Sequence, residues 1–400
     1  MDLIVLLLSI HVGVRIFQLK YCLCDEYDVI PVTEPVQNKS PLVVIEHKLG
    51  VELWCIPILY QYAYDKLLSW RARDGTEKFL EPGEVVNLCR AVLLVNPECY
   101  TVWNIRKECV ENGDLTIDED LKLGELILTK HPKSPETFIH RRWLLQILLN
   151  KSLLSSNDSN HSNSSVESCE LLVGVDGISV NFLPTNQNTC SNNHILPKQI
   201  DRNLHRTVHH EFDICLRAAE HYACNYNAWS HRIWLIQAAF NSAVQVLLSE
   251  FRTTVTWFTQ HVSDHCGFHY RQFLLKSLIN QSQAVSFKFR VDVNDLLNQE
   301  FDKTTDLIGT YPGHEALWYH RKFVLHQIID EIKTKADQLR ETLSKDNGID
   351  LKRSRVESER QLLLEKEINL VSNKELLSCD KRERELANRY IVWIKRMLSL

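Results

Sequence analysis

The most regular pattern of side chains that could bind a ligand or catalyse a reaction is an arginine three positions after an aromatic residue. A guanidinium could bind phosphate, because its planar donors match phosphate oxygens. Residues at i and i+3, however, share one helix face. If the aromatic ring is buried, the aliphatic part of the arginine side chain packs against it. We interpret the pairs as structural, with each guanidinium bonding acids or carbonyl groups of the following repeat. They are Trp103 and Arg106, Phe138 and Arg141, Trp229 and Arg232, Phe268 and Arg271, and Trp318 and Arg321.

Histidine and cysteine side chains offer a second kind of chemistry, which is metal binding. Cys266 lies between His265 and His269. Histidine also precedes the repeat arginine in three copies, as His140, His231 and His320. Repetition explains these positions without a metal, and the sequence has no Cys-x-x-Cys pair, glycine-rich phosphate loop or nucleophile elbow. We predict no metal ligands and no cofactor in this chain.

The spacing of the arginine copies predicts the elements that position them. Successive aromatic residues lie 35, 91, 39 and 50 residues apart, and a unit of about 35 to 40 residues fits one helical hairpin. The longer gaps need insertions. Residues from about 150 to 195 are rich in serine and asparagine and predict a disordered insertion. Residues 331–359 are highly charged and predict a linker.

Amphipathic stretches and capping residues place the two helices of each hairpin. Val85, Leu88 and Val92 share one helix face. Ser134, Asn225 and Asp264 are placed to cap the second helices of their copies, and Glu136 suits the first helical turn. These signals predict an all-α, right-handed superhelical α-solenoid of helical hairpins. The predicted divisions are an N-terminal helical extension (1–83), repeats (84–330), a charged linker (331–359) and C-terminal helices (360–400).

Composition excludes several classes of protein. The 400 residues carry a net charge of −5, which argues against a strongly basic nucleic-acid-binding protein. The apolar stretch at 3–17 is shorter than the roughly 20 residues of a membrane-spanning helix. Twelve scattered cysteines in a chain of this length are typical of reduced thiols in the cytoplasm. We therefore expect a cytoplasmic protein without a membrane span or a nucleic-acid partner.

The repeat resembles that of the protein prenyltransferase α subunits. The segment from Asn225 through Tyr226 and Trp229 to Arg232 closely matches the family's unit, and Tyr100 before Trp103 fits the same pattern. The resemblance covers roughly residues 84–325 apart from the insertion. It implies a crescent of hairpins around a β subunit, an α/α barrel that holds zinc and the isoprenoid diphosphate.

The resemblance also implies roles for individual side chains. Lys133 corresponds to the family lysine that reaches the diphosphate, where it would stabilise the departing charge. Tyr226 matches a family tyrosine near the same diphosphate. Pro135 stands where the family has tyrosine. Glu136 stands where farnesyltransferase-type subunits have glutamine, which helps to hold the C-terminal carboxylate of a CaaX substrate; a carboxylate there would repel it.

The resemblance leads to an expected activity. We expect the α-type subunit of a heterodimeric protein geranylgeranyltransferase, inactive alone, paired with the β subunit of the Rab enzyme. The complex would transfer the lipid from geranylgeranyl diphosphate to a C-terminal cysteine of an acceptor protein, a small GTPase or a SNARE. Zinc would belong to the β subunit. The alternative is a non-catalytic solenoid scaffold or adaptor that binds proteins on its concave face.

Overall fold

Helical hairpins stacked in chain order form most of the protein in its computed structural model. The model describes residues 24–35, 40–72, 80–158, 202–284, 292–342, 349–377 and 380–398. The hairpins pair α2 (Pro82–Val95) with α3 (Tyr100–Asn112), α4 (Ile117–Lys130) with α5 (Pro135–Asp158), α6 (Arg202–His221) with α7 (Tyr226–Phe240), α8 and α9 (Val244–Thr253, Val255–Gln260) with α10 (His265–Ala284), α11 (Val293–Thr310) with α12 (Glu315–Thr342), and α13 (Ile349–Leu377) with α14 (Lys381–Leu398).

The second helices of successive hairpins lie side by side, and each contacts the next. Equivalent repeat positions therefore line up from one hairpin to another. The repeat aromatic rings are buried in this stack, with Trp103, Phe138 and Trp229 each no more than 2% exposed. No single hairpin buries its apolar face alone, so the core is completed by stacking. The predicted α-solenoid is confirmed.

Side-chain caps begin the second helices at the expected residues. The Ser134 hydroxyl accepts a hydrogen bond from the Thr137 amide at 3.3 Å. The Asn225 side chain accepts from the amide of Ala228, and the Asp264 carboxylate accepts from that of Gly267. Each bond satisfies an amide of the first turn that has no partner within its helix. Sequence spacing thus fixes where these helices begin.

The N-terminal region differs from the expected helical extension, because it contains a three-stranded sheet. Strands β1 (Glu26–Ile30), β2 (Leu42–Ile45) and β3 (Lys48–Glu52) lie in the order β1-β3-β2, with β1 parallel and β2 antiparallel to β3. The expectation of helix was wrong here because short, β-branched segments pair across the sheet. A 3-10 turn and α1 (Ile56–Ala72) follow, and α1 packs against α2.

Two other boundaries also differ from the sequence expectation. The predicted linker is largely helical, since α12 continues to Thr342 and α13 begins at Ile349. Its residues are mainly good helix formers, with no proline to break the pattern. Helix α5 continues to Asp158, beyond the expected start of the insertion. The rest of the insertion and the apolar stretch at 3–17 lie outside the described residues. Among those described, no helix is both long and apolar enough to cross a membrane.

Candidate functional site

A buried ion pair joins the first two hairpins. Arg106 on α3 donates from Nε to Asp120 on α4 at 2.6 Å, and His140 on α5 contacts the other carboxylate oxygen, also at 2.6 Å. Arg106 also donates to the carbonyl of Val86 in its own hairpin. All three ionisable side chains are at most 1% exposed. One carboxylate therefore binds a guanidinium from the preceding hairpin and an imidazole from its own.

This junction recurs between all six hairpins. The arginine always comes from one hairpin, the acid from the first helix of the next, and a histidine or tyrosine from that hairpin's second helix. The later complete junctions are Arg141–Glu211–His231, Arg232–Glu250–Tyr270 and Arg271–Glu300–His320. In the last one Arg321 binds Glu367, and Tyr390 stands at the histidine position, where its hydroxyl forms no hydrogen bond within the described residues. The guanidinium groups of the repeat arginines are therefore occupied by contacts between stacked hairpins.

The first and sixth hairpins each lack some of the junction side chains. In the first hairpin, Ile105 stands at the histidine position and Val85 at the acid position. In the sixth hairpin, Ile391 follows Tyr390 where the other copies have arginine. Burying an unpaired charge is costly, so apolar residues suit these positions. The series of junctions runs from Arg106 to Tyr390.

The acids of the first two junctions, Asp120 and Glu211, have lowered pKa values, and so do their histidine partners. Burial tends to raise the pKa of Asp120, but the Arg106 charge and the His140 hydrogen bond outweigh it and lower that pKa to about 2. Against the same effect of burial, Arg141 and His231 lower the pKa of Glu211 to about 2. Burial lowers the pKa of both His140 and His231. A neutral imidazole that donates Nε2–H to a carboxylate fits a structural role.

An exposed cation lies where the second and third hairpins meet. Lys133, in the turn between α4 and α5, places Nζ 4.9 Å from the centre of the Tyr222 ring and donates a hydrogen bond to its hydroxyl at 3.2 Å. Lys133 is exposed, and Tyr222, at the end of α6, is 41% exposed. The ammonium is therefore held at the surface, where an anion can reach it.

Two asparagines of the third hairpin hold the backbone of this turn. Asn225 donates from Nδ2 to the carbonyl of Pro132 at 2.7 Å, and Asn227 donates to that of Lys133 at 2.8 Å. Tyr226 lies between them as the first residue of α7 and is 67% exposed. The structure therefore brings Lys133 and Tyr226 into adjoining, linked turns. Glu136 is half-buried in the first turn of α5, three residues after Lys133.

Tyr222 and the junction acids were not predicted from the sequence. The acids of the first four junctions each lie 20 residues before their histidine or tyrosine partner, a signal that the sequence offers once the copies are aligned. Tyr222 lies ten residues before the repeat arginine, as Tyr311 does in the fifth copy, but only the fold shows which lysine its ring meets.

The histidine and cysteine residues at the start of α10 form thiol contacts. The Cys224 sulfur lies 3.4 Å from Nδ1 of His265, and the Cys266 thiol donates to the Cys224 carbonyl. Within the described ranges, no three histidine, cysteine or acidic side chains are grouped to hold a metal ion.

The structure is that of a helical-repeat protein with an anion-accessible edge. Its hairpins are stacked, its arginine–carboxylate junctions are buried, and a lysine is exposed at a turn. The sequence model of the "Protein prenyltransferase alpha subunit repeat" matches residues 83–113, 208–239, 247–278 and 297–328. These ranges contain the tryptophan or phenylalanine and the arginine of the first, third, fourth and fifth copies.

Similar proteins cover most of the chain. The human "Protein prenyltransferase alpha subunit repeat-containing protein 1" is 38% identical over 76% of this chain and 73% of its own length. A Xenopus laevis relative, "Protein prenyltransferase alpha subunit repeat-containing protein 1-B", is 37% identical over 77% of this chain and 70% of its own. The rat "Geranylgeranyl transferase type-2 subunit alpha" is 22% identical over 67% of this chain and 37% of its own length. The chain belongs to the protein prenyltransferase alpha subunit repeat family.

Proposed function

We propose that this chain is the α-type subunit of a heterodimeric protein geranylgeranyltransferase. The observation that carries the proposal is the exposed Lys133 ammonium, held on Tyr222 beside Tyr226 in a family of prenyltransferase α-subunit repeats. The similarity to a geranylgeranyl transferase α subunit favours a C20 lipid, from geranylgeranyl diphosphate, over other isoprenoids.

A row of exposed apolar side chains supports a protein partner for this chain. Tyr100, Ile139, Tyr226 and Tyr319 all lie in the N-terminal parts of the stacked second helices, and each is 49% to 67% exposed. Aromatic residues are enriched in protein interfaces. We assign this row to the β subunit, of the type found in Rab geranylgeranyltransferase. The zinc and the lipid-binding cavity would belong to that subunit.

The reaction joins an acceptor cysteine to the lipid through a thioether. The acceptor sulfur attacks C1 of the geranylgeranyl group as a thiolate, which zinc in the β subunit would favour by lowering the thiol pKa. The C1–O bond breaks and diphosphate leaves with the bonding electrons. Lys133 would stabilise the negative charge that grows on the leaving group, and this effect accelerates the step because it is greater in the transition state.

Glu136 bears on the choice of acceptor. Its carboxylate lies in the first turn of α5, close in sequence to Lys133 and half-buried. A free C-terminal carboxylate brought to this turn would meet a like charge. We therefore propose that the acceptor, a small GTPase or a SNARE with a C-terminal cysteine, is recognised through a docked protein surface. The complex would act in the cytoplasm, where acceptor thiols remain reduced.

Reconstitution tests this function. The chain is co-expressed with a Rab-type prenyltransferase β subunit, and the complex is given acceptor proteins with geranylgeranyl or farnesyl diphosphate. A 1:1 complex that contains zinc and transfers the C20 lipid is expected, while the chain alone is inactive. A chain that remains monomeric with every β subunit, or a complex that transfers no lipid, would instead indicate the scaffold function.

A further inference from the structure

The Lys133 side chain is fixed at both ends, although it is exposed. At the backbone, Asn225 and Asn227 bind the carbonyl groups of Pro132 and Lys133 from the neighbouring hairpin. At the ammonium, the Tyr222 ring and hydroxyl provide the contacts at 4.9 Å and 3.2 Å. A free lysine side chain samples many rotamers, so this arrangement restricts where the charge lies.

Tyr222 is itself held in place by regular structure. Its amide donates to the carbonyl of Ala218, which continues the hydrogen-bonding pattern of α6 by one residue. Within the described residues, Lys133 forms no ion pair with a carboxylate. The Tyr222 hydroxyl accepts a hydrogen bond from the ammonium without neutralising its charge. Tyr222 thus orients a cation that remains able to bind an anion.

We propose that Tyr222 is a positioning residue for Lys133, with its hydroxyl presenting the ammonium to the diphosphate of the lipid substrate. This inference rests on the proposed prenyl transfer, and it assigns Tyr222 a part in that reaction. The hydroxyl contributes more than the ring, because the two distances place the ammonium beyond the hydroxyl oxygen and not over the ring face. A phenylalanine would lose this hydrogen bond. The effect of Tyr222 operates through Lys133, so removal of the lysine ammonium should abolish it.

A double-mutant cycle in the reconstituted heterodimer tests this role. Tyr222→Ala, Tyr222→Phe and Lys133→Ala are made singly, and each Tyr222 change is combined with Lys133→Ala. The kinetic constants for geranylgeranyl diphosphate and for the acceptor protein are measured separately. Tyr311→Ala is the matched control, because Tyr311 occupies the equivalent position of the fifth copy and is 42% exposed. Circular dichroism and complex assembly check that every variant folds.

The expected result is specific to the lysine. Tyr222→Ala should lower kcat/KM for the lipid diphosphate about two- to fivefold, as expected for the loss of one exposed hydrogen bond. Tyr222→Phe should lower it by nearly as much because it removes the same hydrogen bond, and the KM for the acceptor should not change. In the Lys133→Ala background, Tyr222→Ala should have no further effect, since the pair acts as one unit. Tyr311→Ala should match the unmodified complex.

Other results overturn the inference and separate it from the proposed function. If the unmodified complex transfers no lipid, the proposed function fails and the role of Tyr222 fails with it. If transfer occurs and Lys133→Ala reduces it while Tyr222→Ala does not, only the positioning role is wrong. An equal loss from Tyr222→Ala with and without the lysine would show a general structural effect, which also overturns the inference.

Discussion

Arg271 on α10 donates from Nε and Nη2 to the two carboxylate oxygens of Glu300 on α11, at 2.5 and 2.6 Å. Both side chains are at most 4% exposed. His320 on α12 completes the junction by contacting the same carboxylate at 2.7 Å. Three helices from two hairpins therefore meet at one buried charge. Such a contact favours the observed register of neighbouring hairpins, because a shifted hairpin would leave a buried charge unpaired.

Breaking this pair from one side should destabilise the chain strongly. Arg271→Leu leaves Glu300 buried without its cation, and the expected loss is about 3–5 kcal/mol in the free energy of unfolding. Arg71→Ala is the control, because it breaks the exposed ion pair with Glu108 and should cost less than about 1 kcal/mol. Urea denaturation followed by circular dichroism measures both. Similar losses for the two variants would contradict a structural role of the buried junction.

Stability should fall as the pH is lowered, because ionised carboxylates hold the junctions. The folded-state pKa values of Asp120 and Glu211 are about 2, against ordinary values of 3.8 and 4.5. Their contribution is fully present above the ordinary values and is lost as the pH falls toward 2, on the order of 2–3 kcal/mol each. Burial also lowers the pKa of His140 below 6.5, so its protonation opposes folding below that pH.

Urea denaturation at a series of pH values between 7 and 2 measures this dependence. The Asp120→Asn variant should be less stable than the unmodified chain at pH 7 and should show a smaller decrease between pH 5 and 2. An unmodified chain whose free energy of unfolding is constant from pH 6 to 3 would rule out ionised junction carboxylates.

Lys133 should be needed for turnover more than for assembly. Loss of a single preorganised donor to developing charge typically reduces the rate about 10²- to 10³-fold, and we expect this of Lys133→Ala in the reconstituted complex. The complex should still form, because the side chain is exposed. Lys303→Ala on α11 is the control and should leave turnover unchanged. Unchanged turnover in an intact Lys133→Ala complex would remove this lysine from the mechanism.

Glu136 should determine how the complex recognises the acceptor, as a whole protein or as a short C-terminal peptide. The unmodified complex should prenylate a full-length acceptor more efficiently than a short CaaX peptide. Glu136→Gln removes a like charge near the peptide carboxylate and should raise peptide kcat/KM about fivefold, which corresponds to roughly 1 kcal/mol between charges near water. The control Glu315→Gln, in the first turn of α12, should leave kcat/KM for the peptide unchanged. A CaaX peptide used as well as the full protein before any substitution would contradict this interpretation.

The repeat itself could be predicted from sequence because its signals are local. The aromatic residue and arginine at i, i+3, the capping residues Ser134, Asn225 and Asp264, and the resemblance to prenyltransferase α subunits together indicate the helices and their family. The N-terminal sheet was missed because its strands have only four or five residues each and pair out of sequential order. The helical charged segment was missed because charge density indicates solvent exposure without excluding helix.

The sequence by itself determined the hairpins, their order and the arginine of each junction, because helix periodicity and capping act over a few residues. Only the tertiary structure decided which acid each arginine binds and that the Lys133 ammonium lies on Tyr222. Those contacts join residues as far as 89 positions apart. Their geometry depends on how hairpins stack, since the packing of one helix pair against the next sets distances that local propensity does not specify.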